Sequence, residues 1–190
     1  MYYKLIQTPV MGGLYMTISP KLGRKIRWLS GARHPVPINT PIRIELNDEY
    51  GTEIADIFVD NVPLMSINMV EAMRNAGVDN MDVYEVQLVD EKRKLIFDNY
   101  VAVQIIGRIA AADMAASDAF DPANIGHSIV QFRELVLDEE KIRDALIFRL
   151  HEDPTTILIH QTVKNELEKL DLKYVSMIPP NEHAIPELKE

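Results

Sequence analysis

Met65–Val86 reads MSINMVEAMRNAGVDNMDVYEV, and within it Ile67, Val70 and Met73 recur at the spacing of one helix face. Ser66 stands where an N-cap belongs, and Gly77 follows the last turn, where a left-handed residue is wanted. The period then changes. Val83, Glu85, Gln87 and Val89 alternate with Tyr84, Val86 and Leu88, which predicts a strand with one mostly apolar face. Much later, Ile159–Ile178 reads IHQTVKNELEKLDLKYVSMI. A shift of 94 positions sets Met69 on Val163, Met73 on Leu167, Ala76 on Leu170 and Val78 on Leu172. One β–helix–β unit is therefore predicted twice, with helices opening near Ser66 and near His160–Thr162.

The remaining pattern is that of short strands. Residues 1–44 carry Gly12, Gly13, Pro35, Pro37 and Pro41 and read as irregular chain with short extended pieces. Ile42–Leu46 and Ile54–Val59 are predicted strands, separated by the turn-like NDEYG. After Val83–Val89 the polar DEKRK turns the chain into Leu95–Ile106, one long strand or two, completing a hairpin. IAAADMAASDAFDPANIG is a connection with little periodicity. Val130–Leu137, the turn DEEK and Ala145–Leu150 predict a second hairpin, and Lys173–Ile178 a final strand ending at Pro179 and Pro180. The fold class expected is α+β, with mixed or antiparallel sheets, few helices, and two similar lobes of β-hairpin plus β–helix–β. The expected division is a basic N-terminal segment, 1–54, packed on a body of 55–190 whose repeats span 55–110 and 130–179.

Charge sharpens that division. The net charge is −9, yet no acid precedes Glu45 and seven bases do, Lys4, Lys21, Arg24, Lys25, Arg27, Arg33 and Arg43. The remainder therefore carries 13 bases against 29 acids. A nucleic-acid arm would interleave aromatics for stacking, and KLGRKIRW holds only Trp28, so the basic segment is expected to fold against its acidic body. With Cys at 0, disulfides, thiolate nucleophiles and cysteine-bound metals are excluded. The N-terminus lacks the pattern of an export signal, and no apolar run approaches the roughly 18 residues of a membrane span, so a cytoplasmic location is expected.

Candidate chemistry is sparse. His34, His127, His151, His160 and His183 make neither HExxH nor any i, i+4 pair. MGGLYM lacks the Lys-Ser/Thr of a phosphate loop, and no GxSxG occurs. Asp113, Asp118 and Asp121 depart from the every-second-residue spacing of a calcium loop. No catalytic residue, cofactor or metal is assigned.

Phe132–Pro179 resembles the C-terminal core of a bacterial immunity-protein family, the eleventh such family, met beside polymorphic toxins and secretion-system effectors. The strand LVLDEEKI, the strand IFRL leading to an acid and Pro154, and ILI with its helix and last strand carry the likeness. Val59–Val86, with DNVPLMS, looks like the family's first copy, and ADMAASDAF, Ala112–Phe120, is similar to its connection running from an Asp to Ser-Asp/Glu. The resemblance implies a non-catalytic protein that binds and neutralises a cognate toxin by occlusion; the alternative is a small-molecule or regulatory binding domain. An acidic body suits a partner with a basic surface, and neither nucleic acid nor membrane is expected as partner. Acids at loop tips are the expected contacts: Asp90 and Glu91 in one turn, Asp138, Glu139 and Glu140 in another, and Asp113, Asp118 and Asp121 between the lobes.

Overall fold

A computed structural model describes residues 1–10, 12–59, 62–120 and 130–183. In chain order the strands of the first half are β1 (Tyr2–Gln7), β2 (Gly13–Leu14), β3 (Met16–Ile18), β4 (Ile42–Asn47), β5 (Gly51–Glu53), β6 (Ile57–Phe58) and β7 (Leu64–Ser66). Helix α1 (Ile67–Asn75) leads to β8 (Met81–Asp90), β9 (Leu95–Phe97), β10 (Tyr100–Ile105) and β11 (Arg108–Ile109). The ribbon strands β12 (Asp118–Phe120) and β13 (Gln131–Glu134) precede a 3-10 turn at Glu139–Lys141. The chain then forms β14 (Ile147–Leu150), β15 (Ile157–His160), α2 (Gln161–Leu167) and β16 (Val175–Ile178).

Two larger sheets result. One runs β3-β4-β8-β10-β7-β6, with β9 also on β8, and the other β11-β14-β15-β1-β16. Within them lies the same four-strand order, β8-β10-β7-β6 in the first sheet and β16-β1-β15-β14 in the second, every pair antiparallel. The registers also coincide. Val101 opposes Met65 as Tyr3 opposes Ile159, and Val103 opposes Val83 as Leu5 opposes Met177. The loop bonds repeat too: the Ile67 amide donates to the Asn99 carbonyl at 2.9 Å, and that of Gln161 to the Met1 carbonyl at 3.0 Å. The repeat read from apolar spacing is thus a real duplication of the lobe. Its second copy takes the strand equivalent to β10 from the start of the chain.

The strand alternation explains how the layers are filled. Val101, Val103 and Ile105 of β10, Leu5 of β1 and Ile157 and Ile159 of β15 share one core with Met69, Met73, Val163 and Leu167 of the two helices. The opposite face of the first sheet buries Ile44, Phe58, Leu64, Val86, Leu88 and Ala102 with Tyr15 and Trp28. That of the second buries Tyr2, Phe148, Leu150 and Leu158 with Ala111, Leu135 and Ile142. A strand buried on both faces reads as a nearly continuous apolar run, as IFRL and ILIH do.

The helix ends differ in their chemistry. Gly77, at φ +97, closes α1: its amide donates to the Arg74 carbonyl and that of Val78 to the Met73 carbonyl, the paired bonds of a left-handed stop. Ser66 does occupy the N-cap position, but its side chain makes no capping bond. At α2 the cap is His160, whose Nδ1 accepts the Thr162 amide at 3.3 Å.

Two expectations are corrected. Val130–Leu137 does not form a hairpin with Ala145–Leu150, because β13 pairs back onto β12 and β14 pairs with β15. The DEEK turn is a 3-10 turn, and the Ala-rich connection is drawn in beside it through an Ala112–Leu137 bridge. Ala111, Ala112, Leu135 and Ile142 are all buried there, so small side chains without periodicity still supply a pairing partner. The reading of residues 1–44 as irregular with short extended pieces also missed the integration of β1, which lies between β15 and β16.

Candidate interaction surface

The acids singled out above do not share one environment. Asp90 is a correction: it is only 2% exposed, at the end of β8, and is not a loop-tip contact. Its Oδ2 accepts the Tyr15 hydroxyl at 2.6 Å and Arg93 Nη1 at 2.9 Å, and Oδ1 takes the Arg93 amide at 2.9 Å. The Tyr15 hydrogen bond, then those from Arg93, hold this carboxylate down to about 2. Asp48 receives Lys92 at 2.9 Å and Arg93 at 2.6 Å, and Glu91, which is exposed, pairs with Arg43. The β8–β9 turn is therefore clamped to β4 and to the loop after it by alternating charges.

This clamp has a pH signature. Asp90 is depressed from an unfolded value of about 3.9, so its contribution is present above that pH and lost as pH falls through about 2. Asp90→Asn is expected to lower the thermal midpoint at pH 7 and to flatten the midpoint's decline between about pH 4 and 2. Melting curves of both proteins across that range check it, and parallel declines would refute it.

The second group gathers on the ribbon. Asp118 begins β12 and lies 3.7 Å from Arg133 of β13. Asp113 Oδ1 accepts the amides of Ala115 and Ala116, holding the turn before it. The Asp113 amide donates to the Val136 carbonyl and the Asp138 amide to the Ala111 carbonyl, so the two acids sit on paired chain segments. Asp138 is half-buried and bonded to Lys141 at 2.9 Å, which holds its carboxyl below the usual range. Glu139 and Glu140 are exposed, with Glu139 lying 3.4 Å from the N-terminal ammonium. Asp121 lies outside the described residues. The structure thus brings Asp113, Asp118, Asp138, Glu139 and Glu140 to one ribbon and its flanking turn, and leaves Glu91 on the other sheet.

The basic segment is stapled to the first lobe. Trp28, 6% exposed, meets His34 and Tyr84 edge-on at 4.6 and 5.7 Å. Buried Gln104 donates to Ser30 Oγ and to the Ala32 carbonyl, the Gly107 amide donates to the Gly31 carbonyl, and Arg33 pairs with Asp82. Lys21, Arg24, Lys25 and Arg27 stay exposed.

The residues that sequence reasoning missed are Arg108 and Arg149. Arg108 lines an open groove of about 1160 Å³ with Met16, Arg27, Trp28, Leu29 and Thr155, and buried Arg149 lies behind it on the next strand. Arg149 sits inside the apolar run IFRL, and the break in that run was its one visible signal. No group of three or more His, Asp or Glu side chains fit to hold a metal ion comes together among the described residues.

The family model described as the immunity protein family, Imm11, matches residues 48–179. The chain belongs to this family. The Imm11 match runs from β5 to β16 and takes in both helices, both Arg108 and Arg149, and every acid singled out as a contact. β1 and β4, which complete the two sheets, precede it. No curated protein matches the chain. Membership of Imm11 places the protein in toxin immunity and makes a toxin its general class of partner. No helix among the described residues is long and apolar enough to cross a membrane.

Proposed function

We propose that this chain neutralises a cognate bacterial toxin by binding and occluding it, without a catalytic step. The observation that carries the proposal is the Imm11 match over 48–179. The contacts proposed are the exposed acids of the ribbon and its turn, Asp118, Glu139 and Glu140, with Asp113 and Asp138 shaping the surface. Glu91 is a secondary contact from the other sheet. Acids held on a strand pair and a 3-10 turn rather than on free loops lose little entropy on docking, which favours affinity. They also project the field of a body that holds 29 acids against 13 bases beyond residue 44, suited to a basic partner surface.

The test first seeks a candidate toxin among the genes beside this chain's own and uses that protein. The variant is Glu139→Lys with Glu140→Lys and leaves Asp138 in place, because Asp138 is bonded to Lys141 and its loss would disturb the turn. The double variant is expected to melt as the native protein does and to bind the toxin about tenfold or more weakly at low salt, the gap narrowing as salt screens it. An unchanged affinity across the salt series would remove this turn from the interface. A native protein that fails to bind the toxin would remove the proposal.

A further inference from the structure

Arg108 and Arg149 face each other across the parallel pairing of β11 with β14. Arg149 is 1% exposed, and no carboxylate comes within ion-pair distance of it among the described residues. Its Nη1 donates to the Pro154 carbonyl at 2.8 Å, whereas Nε and Nη2 are buried without an acceptor among the described residues. Arg108 donates from Nη2 to the His151 carbonyl at 2.7 Å, and its buried Nε also has no acceptor. The nearby Asp153 is already engaged, accepting the Thr155 amide and the hydroxyls of Thr155 and Thr156. Burial, then repulsion from Arg108, pushes Arg149 down to about 10, which leaves it charged at neutral pH.

Buried donors without acceptors are uncommon in folded proteins, and two like charges side by side compound the cost. The surrounding chain is shaped to keep them there. At Gly31, φ +68, a Cβ would stand 2.5 Å from Arg108 Cγ, so only glycine lets the arginine lie against this loop. Arg108 and Pro154 both line the groove, with exposed Arg27 and with Thr155.

We propose that this groove is an oxyanion-binding site, in which Arg108 and Arg27 contact a carboxylate or phosphate group and Arg149 behind them keeps the floor positive. Guanidinium groups suit such ligands because their planar N–H forks match two oxygens at once. Trp28 is too buried to stack a base, and the net charge of −9 repels a phosphate polymer, so a compact anion fits where a nucleic acid does not. The anion has two sources, a free small molecule or an acidic side chain of a bound polypeptide. The site stands independently of the toxin reading.

Isothermal titration at low ionic strength, with inorganic phosphate in one arm and hexaglutamate in the other, tests the site against chloride controls. Native protein is expected to bind at least one probe saturably at one per chain. Arg108→Gln and Arg27→Gln are each expected to weaken binding by about tenfold, the loss of a charge-assisted hydrogen bond. Tighter phosphate identifies a free anion as the ligand, and tighter hexaglutamate a polypeptide carboxylate. If Arg108→Gln fails to fold by circular dichroism, exposed Arg27 carries the test alone. Absence of saturable binding to either probe, or less than threefold weakening in the folded variants, overturns the proposal.

Discussion

Deleting residues 1–7 is expected to unfold the lobe built on β14, β15 and β16. Among the described residues β16 has no other strand partner than β1, and β15 would keep only β14. The helix core would lose Leu5, which is 1% exposed, and the outer core would lose Tyr2, whose hydroxyl donates to the Ala145 carbonyl at 3.1 Å. The bonds from Gln161 to Met1 and from Thr8 to Tyr174 anchor the two ends of β1. Leu5→Ala alone should cost about 2–5 kcal/mol through lost burial and the cavity it leaves. Against a total stability of about 5–15 kcal/mol, losing the whole strand exceeds what a domain of this kind can absorb. Urea unfolding followed by circular dichroism measures both. A deleted protein that still unfolds cooperatively near the native midpoint would show that β1 is dispensable.

Replacing Arg149 by Met is expected to act in the opposite direction and stabilise the protein, by about 1–4 kcal/mol. The side chain lies on the face of β14 shared with Ile147, which packs in the helix core, and opposite Ile157. An unbranched apolar chain fills much of the same volume without a guanidinium to desolvate. The substitution gives up one hydrogen bond, to the Pro154 carbonyl, worth about 1 kcal/mol net in a typical case and somewhat more for a charged donor. It removes two buried donors that have no acceptor and the repulsion with Arg108. A lower denaturation midpoint in Arg149→Met would refute this account, and would mean that the arginine holds the strand end together.

The two predictions bear on different layers of the same duplication. β1 completes the second copy as β10 completes the first, yet β1 precedes residue 48, where the Imm11 match begins. Arg149 lies within the match, in the strand equivalent to β6. The strand that joins β15 to β16 is therefore supplied from outside the matched region.

The local readings came through where one element's own residues settle them. Helical spacing at Val70 and Met73, and again at Val163 and Leu167, places both helices, since each follows from 3.6 residues per turn, but Ile67, read onto the same buried face, is 37% exposed at the start of α1. Gly77 marks a stop because only a left-handed residue makes it. The 94-residue offset carried the duplicated unit because equivalent faces must bury equivalent positions. What a strand pairs with, and what an acid meets, is set through space. Val130–Leu137 alternates equally well beside β14 or beside β12, and YYKLIQ holds no mark of the distant strands that flank it. Asp90 and Glu91 are chain neighbours in one polar turn, yet Tyr15, distant in sequence, covers the first while the second stays exposed. Arg108 and Arg149 became one site only because a parallel pairing joined residues far apart along the chain. Periodicity is a property of a few consecutive residues; pairing, burial and charge environment depend on which distant segments arrive at the same place, and that was decided by the tertiary structure alone.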